Sequence, residues 1–215
     1  MHSLTAGYRG RFKYDNRTAT AYQQVDPDKH QAEMRLVDKV LSLVPAAHRV
    51  LDLPCGGGRL SLHVSQRGYQ VKAADLSDAM IAIAEQTLQA HGLPQGVDKQ
   101  DVEHTTYADR AFDTVFSFRL FHHFPNADIR QRAVSELCRI SGRYVAMSYF
   151  SPWSVTSIKR RIRELRGGRK SEKHATSLRE VEAYFAHAGF RLVQDFARNP
   201  FIHTLHLALF ERIEA

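Results

Sequence analysis

At 215 residues the chain has room for one α/β domain with a sizeable core and little else. A hydrophobic share of 43% and a charged share of 25% are those of an ordinary soluble globular protein. The two cysteines, Cys55 and Cys138, are too few for a disulfide framework or a cysteine-built zinc site, so no metal is expected and a reducing compartment suits them. The N-terminal MHSLTAGYRGRFKYD lacks an apolar core of the signal-peptide kind, and no apolar run reaches the ~18 residues of a spanning helix. The expected location is the cytoplasm.

The net charge of +7 is concentrated in one place. KRRIRELRGGRKSEK at 159–173 carries eight Lys or Arg against Glu164 and Glu172, so this segment holds +6 and the remainder is nearly neutral. A uniformly basic nucleic-acid binder spreads its charge over a face instead.

In chain order, apolar residues at helical spacing (Met34, Val37, Val40, Leu41, Val44) predict a helix from Asp28 to Val44, closed by Pro45. Strands are predicted at Arg49–Leu53, Tyr69–Asp75, Gly96–Asp101, Phe112–Phe118 and Arg143–Phe150. Helices between them are predicted at Arg59–Arg67 and from a Ser77 cap to about His91, with Gly68 and Gly92 as stop signals, and at Ala127–Ile140, with Gly142 after it. A helix over Ser177–Ala188 precedes strands at Phe190–Arg198 and Ile202–Arg212. This alternation predicts a Rossmann-like, doubly wound, mostly parallel seven-stranded sheet in a single domain spanning 1–215. Only the turn Asn199-Pro200 separates the last two strands, so the last one should run antiparallel. Within the domain, residues 1–45 form an N-terminal helical cap and 46–150 a ligand-binding core. Residues 151–175 form a basic arm, and 176–215 the closing helix and hairpin.

The centre of the pattern is RVLDLPCGGGRLSLHV at 49–64. Glycines between a strand and a helix allow backbone angles closed to other residues and let a ligand approach the next helix's N–H groups. A tight turn without a ligand would need glycine too. Three acids tip the balance: Asp52, Asp75 and Asp101 each end one of the first three predicted strands. In a parallel sheet those ends lie side by side at the ligand edge. Asp75, 23 residues beyond Asp52, can accept ribose hydroxyls. Asp52 beside the loop repels a pyrophosphate but suits an ammonium group. Ser61 occupies the third glycine position of the G-x-G-x-x-G pattern, which disfavours NAD.

These residues resemble the class I S-adenosylmethionine-dependent methyltransferases. VLDLPCGGG is similar to that family's (V/I)LD(V/L)GCGxG, with Asp52, Cys55, Gly56 and Gly58 in register and Pro54 departing from the usual glycine. The resemblance implies that Asp75-Leu76 binds the ribose, Met80 covers the adenine and Asp101-Val102 reads its edge. Ser117, Phe118 and Arg119, at the end of FDTVFSFR, complete the cofactor site. RTATAY, with Arg17 and Tyr22, and LREVEAYFAHAGF resemble segments of ubiquinone- and menaquinone-type small-molecule methyltransferases. They place Arg17 and Tyr22 at the cofactor, and Tyr14 with Tyr22 could fold over it. The implied cofactor is S-adenosylmethionine.

For the acceptor side, His122 and His123 follow the fourth strand and Tyr149 nears the end of the fifth; each is a candidate catalytic group or a packing residue. No [DN]PP[YF] stands after the fourth strand, and neither cysteine is placed as a nucleophile. In the arm, Ser151-Pro152 reads as a helix cap, and Val155, Ile158, Ile162 and Leu165 form one apolar face. The arm reads as a solvated helix packed on the body, a lid over the acceptor, or a helix on anionic lipid through 153–173. The expected acceptor is a small molecule or lipid-linked, acidic or phosphorylated. An RNA methyltransferase, an NAD-binding oxidoreductase and a catalytically silent nucleoside binder are the alternatives. Nucleic acid is disfavoured, because aromatic residues do not interleave the basic run. No exposed apolar face stands out in the pattern, so the sequence sets no oligomeric state.

Overall fold

The structure, a computed structural model, describes residues 26–93, 96–167, 173–199 and 203–214. Helix α1 (Pro27–Leu41) opens on a proline, and Asp26 caps it by accepting the Asp28 amide at 2.9 Å. It ends three residues before the predicted Val44. The Leu43 and Val44 amides donate to the Val40 and Leu41 carbonyls, tightening the last turn into i→i−3 bonds. Strand β1 (Arg49–Asp52), helix α2 (Arg59–Ser65), β2 (Gln70–Asp75), α3 (Asp78–Ala90) and the short β3 (Asp98–Lys99) follow. β3 stops short of Asp101 because the Asp101 carboxylate accepts the Glu103 amide at 3.0 Å, which bends the chain away. Then come β4 (Phe112–Ser117), a 3₁₀ turn at Phe121–His123 and α4 (Ala127–Ile140), capped by the Asn126 side chain. β5 (Ser141–Phe150) is followed by α5 (Val155–Leu165), α6 (Leu178–His187), β6 (Phe190–Ala197) and β7 (Leu205–Arg212).

Among the described residues the strands form one seven-stranded sheet in the order β3-β2-β1-β4-β5-β7-β6. The first five are mutually parallel, and β7 runs antiparallel to both β5 and β6. This is the expected doubly wound sheet with its antiparallel last strand. The order reverses between β1 and β4, so a crevice opens at the carboxyl ends of those strands.

Period-two alternation divides the core. Leu51, Val115, Val145 and Phe210 face α4 and α6, while Val50, Phe116, Ala146 and Leu209 face α1 and α2. Gly142 is not a helix stop. Ser141 is already extended, β5 follows α4 without a loop, and a Cβ on Gly142 would meet the Phe112 carbonyl at 3.4 Å.

Glu136 on α4 ties that helix to the connection between β3 and β4. Its Oε1 accepts the Thr105 amide at 2.7 Å and the Thr105 hydroxyl at 2.6 Å, and both oxygens accept from Arg139. Burial alone would raise its pKa, but the Arg139 guanidinium and the Thr105 donors outweigh it and hold the acid at about 2. A pKa depressed by folding contributes stability above the ordinary value of 4.5 that is lost as pH falls through about 2. Glu136→Gln should therefore cost about 1–3 kcal/mol at neutral pH and flatten this acid-side loss. Urea unfolding at neutral pH and near pH 3 checks both.

Candidate functional site

At the crevice, one cleft is lined by the β1–α2 loop, the ends of β2, β3 and β4, and α1. The loop conformation follows from its glycines. Gly56 has φ +53° and Gly58 +79°, and a Cβ on Gly58 would press to 3.2 Å on the Ala84 backbone of α3. Gly58 does not line the cleft; its part is to cap α2 and admit α3. Pro54, Cys55 and Gly56 do line it. Cys55 donates its amide to Ala74 at 2.8 Å, extending the β1–β2 ladder into the loop. Burial, with Asp52 and Asp75 nearby, pushes its thiol pKa far up, so it is inert.

Asp75 holds this arrangement together. Its Oδ2 accepts the Gly56 amide and its Oδ1 the Ser77 amide, each at 2.9 Å. One carboxylate thus joins the glycine loop to the start of α3, and each oxygen keeps a second lone pair for a ligand. Burial raises its pKa and the backbone amides act against that.

Asp52 is wholly buried. Its Oδ2 accepts the Ser61 hydroxyl at 2.6 Å, while its Oδ1, also buried, has no hydrogen-bond partner. Burial raises its pKa to about 7, with the nearby Asp75 charge adding to the effect and Ser61 opposing it. Such an atom on a cleft wall calls for a donor from the ligand, ideally a cationic one. Leu76, Met80, Asp101 and Val102 line the far side, Met80 and Val102 being buried. These residues fit a nucleoside bearing an ammonium group.

Phe118, Arg119 and His123 line the third wall. Arg119 has φ +62°, uncommon outside glycine, and its amide donates to Ser148 Oγ at 2.5 Å. Its guanidinium pairs with Glu33 of α1, whose side chain is buried. Ser117 is buried behind the wall and does not reach the cleft. Arg17 and Tyr22, like Tyr14, lie outside the described residues.

Two of the three acceptor-side candidates turn away. His122 is buried, stacked on Phe150 with centroids 3.9 Å apart and planes 2° from parallel, and its carbonyl accepts the His174 amide. Tyr149 points into the α4–α6 face, because strand alternation gives the opposite face to Ser148. Its hydroxyl donates to Asp195 at 3.0 Å, where His206 also meets Asp195 at 2.7 Å. Burial and the Asp195 charge push the phenol pKa far up, so Tyr149 is a structural group. Of the three, only His123 lines the cleft.

The arm also departs from expectation. The helix cap is Ser154, not Ser151, and no described residue of 151–175 lines the cleft. Sequence reasoning passed over Met34, Arg59 and Gln100, all on the wall, whereas Leu120 falls within the segment 119–123 that it assigned to the acceptor side. Met34 read as core because it lies on the apolar face of α1, and only tertiary packing brings that face to the cleft.

The sheet order, the glycine loop and the acids on adjacent strand ends define a nucleoside-binding α/β domain. Residues 50–142 match the family described as a methyltransferase domain. The chain is 35% identical over 126 residues to the demethylmenaquinone methyltransferase of Thermus thermophilus, covering 55% of this chain and 54% of that one. It is 32% identical over 103 residues to the methyltransferase GfsG of Streptomyces halstedii, covering 46% and 37% respectively. It is 36% identical over 107 residues to a ubiquinone biosynthesis O-methyltransferase of Xanthomonas axonopodis, covering 47% and 43%. The chain therefore spans about half or less of the curated relatives it matches. Magnesium protoporphyrin IX methyltransferase from Synechocystis, solved with bound S-adenosylmethionine, superposes with a TM-score of 0.71. Identity there is 18%, over 98% of this chain and 100% of that one, so the likeness is one of fold. Over residues 50–142, then, the chain matches a methyltransferase domain, and its fold is that of a methyltransferase solved with bound S-adenosylmethionine.

Two outcomes test the site. Asp75→Ala should weaken S-adenosylhomocysteine binding by about 1–3 kcal/mol and also lower the melting temperature, because the Gly56 and Ser77 amides lose their acceptor. Calorimetry and thermal unfolding read the two effects. With its pKa raised from 3.8 to about 7, Asp52 lowers the stability of the ligand-free fold progressively as pH rises from about 4 to about 7, above which the penalty is constant. Binding of an ammonium-bearing ligand should strengthen as pH rises toward about 7 and level off above it, and Asp52→Asn should bind weakly with no such rise. Titrations across that range decide it.

Proposed function

We propose that this protein transfers a methyl group from S-adenosylmethionine to a small-molecule acceptor that is acidic or phosphorylated, free or lipid-linked. The observation that carries the reading is the buried, unpartnered Oδ1 of Asp52 on the wall of the glycine-loop cleft. When bound, the cofactor supplies an electrophilic methyl on a sulfonium. In this reading Asp52 holds its ammonium group, Asp75 its ribose hydroxyls, and Met80 with Asp101-Val102 its base. Arg17 and Tyr22 would close over it from the N-terminal segment. Arg119 and His123 border the acceptor. His123 would take the proton from an acceptor hydroxyl, a step that a more acidic acceptor does not need. Most of the work is alignment for an in-line displacement.

The acceptor class rests on the block of cations on the arm, which follows β5 at the sheet edge where the cleft opens; Arg119 borders the cleft but is paired with Glu33. Relatives named for ubiquinone biosynthesis and demethylmenaquinone methylation make quinone-type acceptors the first to try. Peripheral contact of 153–173 with an anionic membrane, on its cytoplasmic face, belongs to the same reading.

Side-by-side calorimetry with S-adenosylmethionine, S-adenosylhomocysteine and NADH tests it. The first two should bind with roughly micromolar affinity, near −8 kcal/mol. NADH binding in their place would overturn the assignment. His123→Ala should keep S-adenosylhomocysteine affinity within about twofold and lower turnover of a hydroxyl acceptor by about 10²–10⁴.

A further inference from the structure

Helix α5 is turned inside out relative to an ordinary surface helix. Its side toward the body is polar: Ser157 is buried, and Arg160 and Glu164 are half-buried at i+3 and i+7. Ser157 Oγ donates to the Ser151 carbonyl at 2.7 Å, and Ser154, wholly buried, caps the helix. The apolar stripe faces outward. Val155 is 45% exposed, Ile158 48%, Ile162 43% and Leu165 79%, and Trp153 just before the helix is 75% exposed. Of the readings open for the arm, this disfavours a solvated helix packed on the body, and it departs from the expectation that no exposed apolar face stands out.

We infer that this outward stripe is a docking surface for an anionic lipid bilayer. The argument is charge complementarity around an uncovered apolar ridge. At helical spacing, Lys159, Arg163 and Arg166 flank the ridge on one side and Arg161 on the other. All four are exposed and none forms an ion pair among the described residues. An aqueous protein partner would be favoured by the ridge alone, and a phosphate backbone by the cations alone. Both together, with an interfacial tryptophan, match a helix lying in the headgroup layer. Because β1, β2, β4 and β5 are parallel, α5 leaves the same edge of the sheet at which the cleft opens. Docking there would bring the cleft's edge toward the bilayer. This rests on and deepens the membrane-contact reading above by naming the residues that would make the contact, and it does not require the cofactor.

Trp153 is the single tryptophan of the chain, so its emission reports on this surface alone. The test is co-sedimentation and Trp153 fluorescence with vesicles of phosphatidylcholine, and of phosphatidylcholine with about one quarter phosphatidylglycerol. Binding to the anionic vesicles only, with a blue shift that added salt reverses, is the expected result. Combining Arg161→Gln, Arg163→Gln and Arg166→Gln should weaken partitioning about fivefold per cation, on the order of a hundredfold in all. Ile162→Ser with Leu165→Ser should weaken it roughly tenfold or more. Unchanged circular dichroism and S-adenosylhomocysteine affinity in both variants would show that the fold and the cleft are intact. Absence of vesicle binding, or binding that neither variant weakens, overturns the inference. So does a dimer that Ile162→Ser with Leu165→Ser dissolves while vesicles remain unbound, since a second copy would then cover the ridge. If S-adenosylhomocysteine fails to bind but vesicles do, the methyl-transfer reading falls and this one stands.

Discussion

The cleft depends on one carboxylate accepting two backbone amides. Asp75, at the end of β2, binds Gly56 of the neighbouring strand's loop and Ser77 at the start of the next helix. Without those bonds, a loop of three glycines has many conformations of similar energy. With them, the loop is held open against β2, and Asp52 is left behind it with one oxygen satisfied by Ser61 and one bare. Burying that bare oxygen is unfavourable on its own. It is tolerated because the carboxyl can stay protonated near neutral pH until a cationic group replaces the proton. Loop order and ligand chemistry are therefore two consequences of the same pair of acids.

Around this centre the molecule separates holding from reacting. Tyr149, Asp195 and His206 form a buried polar knot joining β5, β6 and β7. His122 stacks against Phe150 and receives a backbone bond from His174, which ties the 3₁₀ turn to the approach to α6. The neighbouring His123, its ring centroid 4.2 Å from that of His122, lines the cleft. Adjacent histidines in FHH thus play different parts although their rings touch: His122 is buried against Phe150, and of the two only His123 lines the cleft. The Glu33–Arg119 pair does similar work on the other wall, fixing α1 against the end of β4.

The arm follows a different rule. Elsewhere, apolar helical faces are covered by the sheet, and α1 buries Met34, Val37, Val40 and Leu41 in this way. α5 buries a serine and exposes its isoleucines. Local capping by Ser154 starts the helix but does not dictate which side meets the body. That choice is made by where the chain leaves β5.

The sequence by itself determined the element order, the mostly parallel sheet with its antiparallel end, and the glycine loop with acids on successive strand ends. These are local matters of hydrophobic period, capping residues and backbone freedom, each legible within a few residues. Only the tertiary structure decided which candidates reach the cleft. Tyr149 and Ser148 are adjacent in sequence, yet alternation sends one into the α4–α6 core and the other to the Arg119 amide. Met34 reads as core until α1 is seen against the glycine loop. Gly58 matches the motif but supports helix packing rather than the cleft wall. The orientation of α5 was likewise invisible in its spacing. A periodic stripe shows that a helix has two faces, whereas its partners in space determine which of them is covered.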